Sequence, residues 1–471
     1  MAGFLQLWAK WMANRERMRA RVTMAWAARR PEEMMRGDMV RGRGGWMALA
    51  LACALIAPVV VSLMAASPAS RESAQEATQE STQKPTQDST QEATLNSGQE
   101  PTQPPPSAYA GDKACAQCHE KESKFYEETR HAQDSAEAAP GHVLGNFTPG
   151  HNVLHTSNPN LIVTMVHRPD GYFEEARNLA NPSAHLTERI SVVIGSGRHG
   201  QTYLYWDGDD LFQMPASWWT WNHDWVVSPG LPAGQIHFDR MIVPRCLECH
   251  GNYFVWKNPP PNHYEKSSLV LGIGCERCHG PGAEHVARER SAHPPKPGSS
   301  EEAIVNPARL SRNRQMGLCS LCHAGAVKPL RPPLTFVAGD RIQDFLQITP
   351  GAADKPVDVH GHQVSALEES KCFANSQMTC STCHDVHRTQ ENADSFAPHC
   401  LGCHKVQACG EYRKLGGKIR GQCIECHMPL QDSAVITSHQ GGQALHALLR
   451  GHRIAVYPEA TAAMERKLAG K

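Results

Sequence analysis

Residues 275–279 of the chain read CERCH, within the longer segment GIGCERCHGPGAEH at 272–285. The same pattern, Cys-x-x-Cys-His, occurs seven times and takes up fourteen of the 17 cysteines. The seven copies are Cys115-Cys118-His119, Cys246-Cys249-His250, Cys275-Cys278-His279, Cys319-Cys322-His323, Cys380-Cys383-His384, Cys400-Cys403-His404 and Cys423-Cys426-His427. A pattern repeated this often indicates that the fold is organised around the groups that these cysteines and histidines bind.

The spacing of the pattern matches the chemistry of covalent haem attachment. Residues three and four apart lie on one face of a helical turn. Two thiols can therefore bond the two vinyl groups of a haem while the next histidine binds its iron, which is the c-type haem signature. Zinc sites made of CxxC pairs need no such histidine, and finding one after all seven pairs by chance has odds of about 10⁻⁹. Seven internal Cys-x-x-Cys disulfides would be unusual, because such pairs close on themselves mainly in redox enzymes. The sequence predicts seven covalently attached haems c.

The composition agrees with an interior filled by haem. The chain has 471 residues, 47 basic and 47 acidic residues, and only 6% aromatic residues. The balanced charge argues against a nucleic-acid partner, which needs a basic excess. Successive motifs from Cys246 on begin only 29, 44, 61, 20 and 23 residues apart, too close for a conventional core between them. We expect a mainly α-helical and irregular fold with the haems as its core.

One long gap between motifs predicts a different kind of structure. The segment LIVTMVHRPDGYF at 161–173 combines β-branched residues with a Pro-Asp-Gly turn, and 190–215 contains further apolar runs separated by Gly-rich turns. These patterns are typical of strands joined by tight turns. We therefore predict a small β-rich insert at 143–240.

The N-terminal region predicts export of the chain. Residues 46–66 are 21 residues without a charge, long enough for a transmembrane helix, and the lead at 1–45 carries ten basic against four acidic residues. The positive-inside rule leaves the lead in the cytoplasm and exports the chain from residue 67 onward. The apolar segment is either a retained signal anchor, which we favour, or a cleaved signal peptide. Translation starting at Met39 is an alternative to a genuine lead.

The remaining boundaries are set by composition and motif positions. Residues 67–108 contain a Thr-Gln repeat and a Pro-rich end with almost no apolar residue, which predicts a disordered linker. We expect a first-haem module at 109–142, a six-haem domain at 241–460 and a tail at 461–471.

Several segments resemble the multihaem cytochrome c superfamily, the group of cytochrome c-552/c-554-type domains that is related to the haem core of hydroxylamine oxidoreductase. The resemblance rests on YAGDKACAQCHEKESKFYEETRHAQ, GIGCERCHGPGAEH, KCFANSQMTCSTCHDVHR, IGSGRHGQTYLYW and CIECHMP followed by GHRI. It implies a multihaem cytochrome c fold and a second, distal histidine on most irons. The distal ligands that it suggests are His131, His199, His285, His387 and His452, together with His362 in preference to His360.

The number of histidines is sufficient for this expectation. Of the 26 histidines, 19 lie outside the motifs, so seven bis-His haems are possible. Methionine, the alternative ligand, raises the potential, and the chain offers few candidates. The seventh distal ligand is undecided among His237, His399, His439 and His446. Cys372 and Cys409 also match cysteines of the resemblance, and an oxidising compartment predicts a disulfide between them.

These expectations favour an electron carrier on the periplasmic side of the cytoplasmic membrane. Bis-His coordination leaves no open iron, so we predict no catalytic residue. The alternative is an oxidoreductase that acts on a small nitrogen or sulfur compound at one open haem. The partners expected are redox proteins or quinol-linked membrane donors, with the membrane contacted through 46–66. Nothing in the sequence indicates an oligomeric state.

Overall fold

The computed structural model describes residues 102–325, 327–349 and 362–470. These residues belong to one unit of the chain. The predicted lead at 1–45, the predicted transmembrane segment at 46–66 and His360 lie outside the described residues, as does most of the predicted linker. The end of that linker is described: Pro106–Ala108 form a short 3₁₀ helix, and the Gln103 side chain donates a hydrogen bond to the Phe254 carbonyl at 2.7 Å.

The α-helices of the described ranges are short, and the longest has 12 residues. They are α1 (Asp112–Ala116), α2 (Glu120–Tyr126), α3 (Pro244–His250), α4 (Glu276–His279), α5 (Ala283–Glu289), α6 (Arg312–His323), α7 (Gln363–Glu368), α8 (Lys371–Ala374), α9 (Ala397–Leu401), α10 (Tyr412–Leu415), α11 (Cys423–His427) and α12 (Pro458–Leu468). Proline and glycine set several boundaries. Pro244 begins α3, where its missing N–H costs nothing, and Gly280, with φ of 80°, ends α4.

Fifteen strands of the described ranges form five antiparallel sheets. They are β1 (Ser135–Glu137), β2 (Val153–His155), β3 (Leu161–Arg168), β4 (Gly171–Asn178), β5 (Asn181–Arg189), β6 (Val192–Ile194), β7 (Gly200–Asp207), β8 (Asp210–Trp219), β9 (Asp224–Val227), β10 (Gly251–Tyr253), β11 (Val270–Leu271), β12 (Val327–Pro329), β13 (Leu346–Ile348), β14 (Leu430–Gln440) and β15 (Gln443–Arg450). One sheet has the order β1-β6-β7-β8-β9 and another the order β2-β3-β4-β5. The other three sheets are two-stranded.

The two larger sheets pack face to face around a conventional hydrophobic core. Alternation along β3 and β8 turns every second side chain inward. The shared cluster includes Leu161, Val163 and Met165 from β3 and Phe212, Met214 and Trp218 from β8. We call this pair of sheets the β-sandwich.

The opposite face of the five-stranded sheet supports the helix that carries the second motif. Leu204 of β7 and Leu211 of β8 share a second hydrophobic cluster with Leu247 of α3. Phe254 and Tyr264 complete the contact from the segment after α3. The five-stranded sheet is therefore buried on both faces and acts as the base on which Cys246–His250 is placed.

The expectation of a mainly α-helical fold is wrong. About 30% of the described structure is helical and about 25% is strand, and strands also occur outside the predicted insert, at β10 to β15. The physical reason is that tight Cys-x-x-Cys-His turns need only single helical turns, which leaves the intervening chain to form hairpins. Among the described residues, no helix is both long and apolar enough to cross a membrane.

The hairpin β14–β15 has a signal in the sequence that the motif-based expectations did not include. The run SAVITSHQGGQALHALL at 433–449 places two glycines between two strand-like segments. Gly441 and Gly442 have φ values of 52° and 90°, which is the conformation that a two-residue hairpin turn requires. The Ser438 hydroxyl donates a hydrogen bond to the Val227 carbonyl of β9. The hairpin therefore ties the chain after the last motif to the β-sandwich.

Glu174 of β4 is a charged residue inside the β-sandwich. Its side chain is fully buried, and Ala216 of β8 donates its N–H to one carboxyl oxygen at 2.9 Å. The other oxygen, Oε1, has no hydrogen-bond partner within the described part of the chain. Burial raises the pKa of Glu174 well above its usual range, because the charged form is poorly solvated.

This burial makes a testable prediction about pH and stability. The folded chain retains a proton that the unfolded chain releases above pH 4.5, so stability falls as pH rises, by about 1.4 kcal/mol per unit up to the folded pKa. In Glu174→Gln this contribution to the pH slope should disappear. Urea unfolding from pH 5 to pH 8 measures the slope, with Glu175→Gln as the control for the neighbouring carboxylate, which pairs with Arg168. Equal slopes in both variants and in the parent protein contradict the prediction.

Candidate haem-attachment and ligand sites

Each motif that the backbone hydrogen bonds describe closes as a single helical turn. The N–H of His119 donates to the carbonyl of Cys115 at 2.9 Å, and His279 and Cys275 repeat this bond at 3.0 Å. The same bond is present in the fifth and sixth motifs, at 3.0 and 2.9 Å. This turn brings the two thiols and the imidazole to one side, as covalent haem attachment needs.

Thiols of different motifs lie next to one another. Hydrogen bonds join Cys115 to Cys275, Cys249 to Cys322, Cys319 to Cys380 and Cys400 to Cys423. The pairs Cys278 with Cys319 and Cys383 with Cys400 are close enough to interact electrostatically. If the motifs are numbered 1 to 7 in chain order, these contacts run through motifs 1, 3, 4, 5, 6 and 7 in turn. Motif 2 contacts motif 4 as a side branch. We call this arrangement the motif series. It links all seven attachment sites without a break.

The pKa values of the paired thiols reflect these contacts. A hydrogen bond from Cys275 lowers the pKa of Cys115, and a bond from Cys249 lowers the pKa of Cys322 in the same way. Burial raises the pKa of Cys400 to about 11. The thiols of neighbouring motifs therefore influence one another, although Cys118, Cys246 and Cys403 are exposed.

Three motif histidines face a predicted distal histidine. The ring centres are 6.2 Å apart for His131 and His323, 6.1 Å for His279 and His387, and 6.0 Å for His384 and His452. A metal–imidazole bond is about 2 Å long, so an iron between two imidazoles holds the ring centres about 6 Å apart. Ordinary ring contacts overlap this range, but each of these three pairs joins one motif histidine with one predicted distal ligand. The arrangement fits haem.

Hydrogen bonds to Nδ1 leave Nε2 of several of these rings available. The Nδ1–H of His279 donates to the Val305 carbonyl at 2.8 Å, and that of His427 donates to the Ala455 carbonyl at 2.9 Å. His452 donates to the Gln363 side-chain oxygen at 2.5 Å. Metal-binding histidines show this second hydrogen bond almost always, because it sets the tautomer and the ring orientation.

The other predicted distal ligands have different surroundings. His285 of α5 donates to the Glu302 carbonyl at 2.7 Å, and it lies close enough to lower the pKa of His279. His362 has a φ of 63° and immediately precedes α7 as its N-cap residue. It packs against Gly325, where an added Cβ would come within 2.8 Å of the His362 backbone nitrogen. Neither contact pairs the residue with a motif imidazole, so both ligand assignments remain predictions.

His199 is buried beside the β-sandwich. Its ring lies edge-on to Trp221 at 5.3 Å, and burial, with Arg198 and Arg130 nearby, lowers its pKa to about 4. In the ring contacts of the described residues it has no motif histidine opposite it. Its role as a ligand remains a prediction.

The candidates for the seventh distal ligand can be ordered by their hydrogen bonds. Both ring nitrogens of His237 are engaged, with Asp239 at 3.2 Å and Gln235 at 2.8 Å, which disfavours it as a ligand. His446 donates Nδ1–H to the Ser433 carbonyl at 3.0 Å, as a ligand would. His399 lies close to His384 and contributes to lowering its pKa, after burial and His131.

The predicted disulfide between Cys372 and Cys409 is wrong, since both are free thiols. Cys372 lies near Cys383, and Cys409 lies near Cys423 and Cys426. Each thiol is therefore held beside a different motif.

Sequence reasoning missed the residues that orient the histidines. Asp134 accepts a hydrogen bond from His250 at 2.7 Å, and Gln363 does so for His452. The Tyr126 ring lies edge-on to His387 at 6.2 Å, and its hydroxyl donates to the Ile273 carbonyl at 2.5 Å. No local sequence pattern marks these residues, because each contact joins segments that are far apart in the chain.

Comparison with known proteins adds an independent observation. The family model described as cytochrome c554 and c-prime matches residues 114–145 and 229–280, which contain the first three motifs and His131. The C-type polyheme cytochrome OmcC of Geobacter sulfurreducens is 32% identical over 108 residues. The chain is a multihaem c-type cytochrome.

The extent of these likenesses is limited. The alignment with OmcC covers 21% of this cytochrome and 12% of OmcC, so the chain matches only about an eighth of that relative. Among solved structures, the outer cell wall cytochrome OcwA aligns with a TM-score of 0.45 and 15% identity, over 76% of this cytochrome and 81% of OcwA. An undecahaem cytochrome from the S-layer of Carboxydothermus ferrireducens aligns with a TM-score of 0.35 and 17% identity, over 76% and 53%.

The cysteines of the Cys-x-x-Cys-His turns would hold haem c covalently, and each haem would supply one-electron exchange at its iron. The protein's own contribution is to hold and orient the ligands. The Cys-x-x-Cys-His turns present thiols and imidazoles, and backbone carbonyls hold the rings of His279 and His427.

Removing one distal histidine tests the three pairs. His131→Ala, His387→Ala and His452→Ala should each convert one haem from low-spin to high-spin, because one axial position loses its imidazole. Electron paramagnetic resonance of the oxidised protein measures this change.

The control for these variants is His185→Ala, since His185 is exposed on β5. It should leave the spectrum unchanged. If the His131→Ala, His387→Ala and His452→Ala variants remain as low-spin as the control, the pairs are ordinary ring contacts rather than axial ligands.

Proposed function

We propose that this protein is a periplasmic heptahaem cytochrome that relays electrons through mostly bis-His haems. The observation that carries the proposal is the motif series, in which each attachment site lies beside another one. Electron transfer between cofactors requires short separations, and adjacent attachment thiols bring the attached porphyrins close together. The connected order of all seven motifs supports a conduction path rather than isolated cofactors.

The histidine pairs favour a relay over catalysis. In the pairs of His131 with His323, His279 with His387 and His384 with His452, the two histidines would supply both axial positions of an iron. A substrate has no access to an iron that is held in this way. These pairs belong to motifs 3, 4 and 5, which form the middle of the motif series.

The proposed location is inferred from the cofactor. Haem c is attached outside the cytoplasm, and the basic residues are concentrated before residue 46. Residues 46–471 carry 37 basic and 43 acidic residues, and two propionates per haem add negative charge. Complementary charge favours association with a redox partner that carries a basic patch. A quinol-linked donor at the membrane is the other class of partner that suits a periplasmic relay.

Haem content and spin state test the proposal together. The pyridine haemochrome assay should give seven haems per chain, because the sequence contains seven attachment motifs. Electron paramagnetic resonance of the oxidised protein should show low-spin signals that nitrite and hydroxylamine leave unchanged.

The matched control is Cys118→Ala with Cys115→Ala, which removes only the thiols of the first motif and should give six haems. Fewer than seven haems in the unaltered protein contradict the count. A high-spin fraction that shifts with nitrite or hydroxylamine contradicts the relay and favours an enzyme with an open haem.

A further inference from the structure

The histidine of the second motif has a carboxylate as its hydrogen-bond partner. The Nδ1–H of His250 donates to Asp134 Oδ2 at 2.7 Å, with the two side chains 21% and 22% exposed. The pair is therefore a partly buried hydrogen bond between the imidazole of a motif histidine and a carboxylate.

Other rings that fit haem have neutral partners. His279 and His427, which are also motif histidines, donate to backbone carbonyls, and His452 donates to a glutamine amide. A carbonyl or an amide orients the ring without adding a full charge. Asp134 orients the ring and also places a full negative charge beside it. His250 therefore differs from these three histidines in the charge of its hydrogen-bond partner.

The backbone around Asp134 holds its carboxylate in place. The carbonyl of Asp134 accepts the N–H of Gly195 at 2.6 Å. The next residue, Ser135 of β1, donates its hydroxyl to the His250 carbonyl and accepts the N–H of Gly272 at 2.8 Å. Strand β1 thus attaches Asp134 to the helix of the second motif on one side and to β6 on the other. The carboxylate needs no rearrangement to meet the ring.

We propose that Asp134 lowers the reduction potential of the haem at Cys246–His250 below that of the haems whose histidines have neutral partners. A carboxylate that accepts the Nδ1 proton makes an imidazole a stronger electron donor to its metal. Ferric iron carries one more positive charge than ferrous iron, so the donor stabilises the ferric state. This inference rests on the proposed function, because it requires His250 to be an axial ligand.

The haem at motif 2 would lie at the end of a branch of the motif series, and this position suggests a use for a lowered reduction potential. Motif 2 is the branch of the motif series, and it meets motif 4 through Cys249 and Cys322. Asp134 lies three residues after His131, whose ring faces His323 of motif 4. One short segment therefore orients ligands at both sites. A low-potential haem at the end of a branch is placed to pass electrons through motif 4 toward the haems whose histidines have neutral partners.

The variant Asp134→Asn tests the inference in the full-length holoprotein. It keeps a hydrogen-bond acceptor beside His250 and removes the charge. In spectroelectrochemical titration, one haem should become easier to reduce, with its ratio of ferrous to ferric iron at a fixed potential rising about tenfold, which corresponds to about 59 mV for one electron. Asp134→Glu, which keeps the charge, should remain closer to the parent protein.

The matched control is Asp112→Asn. Asp112 accepts the N–H of Cys275 at 2.9 Å, so it is also an aspartate beside a motif but bonds no histidine ring. It should leave the lowest potential unchanged. Superimposable titrations of Asp134→Asn and the parent protein overturn the inference, and so does an equal shift in Asp112→Asn.

A second measurement applies to the parent protein alone and covers the case in which Asp134→Asn does not fold. Near-infrared magnetic circular dichroism of the oxidised protein should show the charge-transfer band of one haem at the position of an imidazolate-like ligand. A single band position for all haems overturns the inference. Mass spectrometry of the peptide with Cys246 and Cys249 separates the two proposals: haem missing from this peptide is a failure of the proposed function, whereas haem present with an unshifted potential is a failure of the inference alone.

Discussion

The coordination of iron is the constraint on which the rest of the structure depends. Each Cys-x-x-Cys-His turn is local and offers one imidazole, so under the proposed bis-His coordination the second imidazole comes from elsewhere in the chain. His131 comes from the first module to face His323, and His452 comes from the end of the chain to face His384. His387 reaches back to His279. A chain that satisfies these pairings has to fold back repeatedly over its own motifs, and its helices stay short.

Two kinds of interior stabilise the protein. The β-sandwich is packed in the conventional way, with fully buried Trp225, Tyr203 and Met165. Three motifs occur in close succession from α8 to α11. The buried apolar side chains of this segment are Phe373, Ala397, Ile419 and Ile424. So small a set suits a region in which covalently attached porphyrins supply the apolar surface. The five-stranded sheet joins both kinds of interior because its second face supports α3.

The limits of sequence reasoning appear at particular residues. The pairings of His131 and His387 depend on contacts between distant segments, although both residues are recognisable as candidate ligands from their local motifs. The turn residues Gly441 and Gly442 indicate the hairpin in the sequence. The hairpin was not predicted because the neighbouring seventh motif led us to assign this segment to the six-haem domain. Asp134 could not be recognised, because an aspartate three residues after a histidine is ordinary until folding places it beside His250.

The sequence by itself determined the cofactor chemistry, since covalent attachment requires two thiols and an imidazole within one turn, and such spacing is local. It also indicated which of the 26 histidines were the best distal candidates. Only the tertiary structure decided which histidine faces which motif, the order of the motif series, the size of the sheets and the charged partner of His250. These features depend on contacts between residues far apart in the chain, and a one-dimensional pattern contains no record of which distant segments meet.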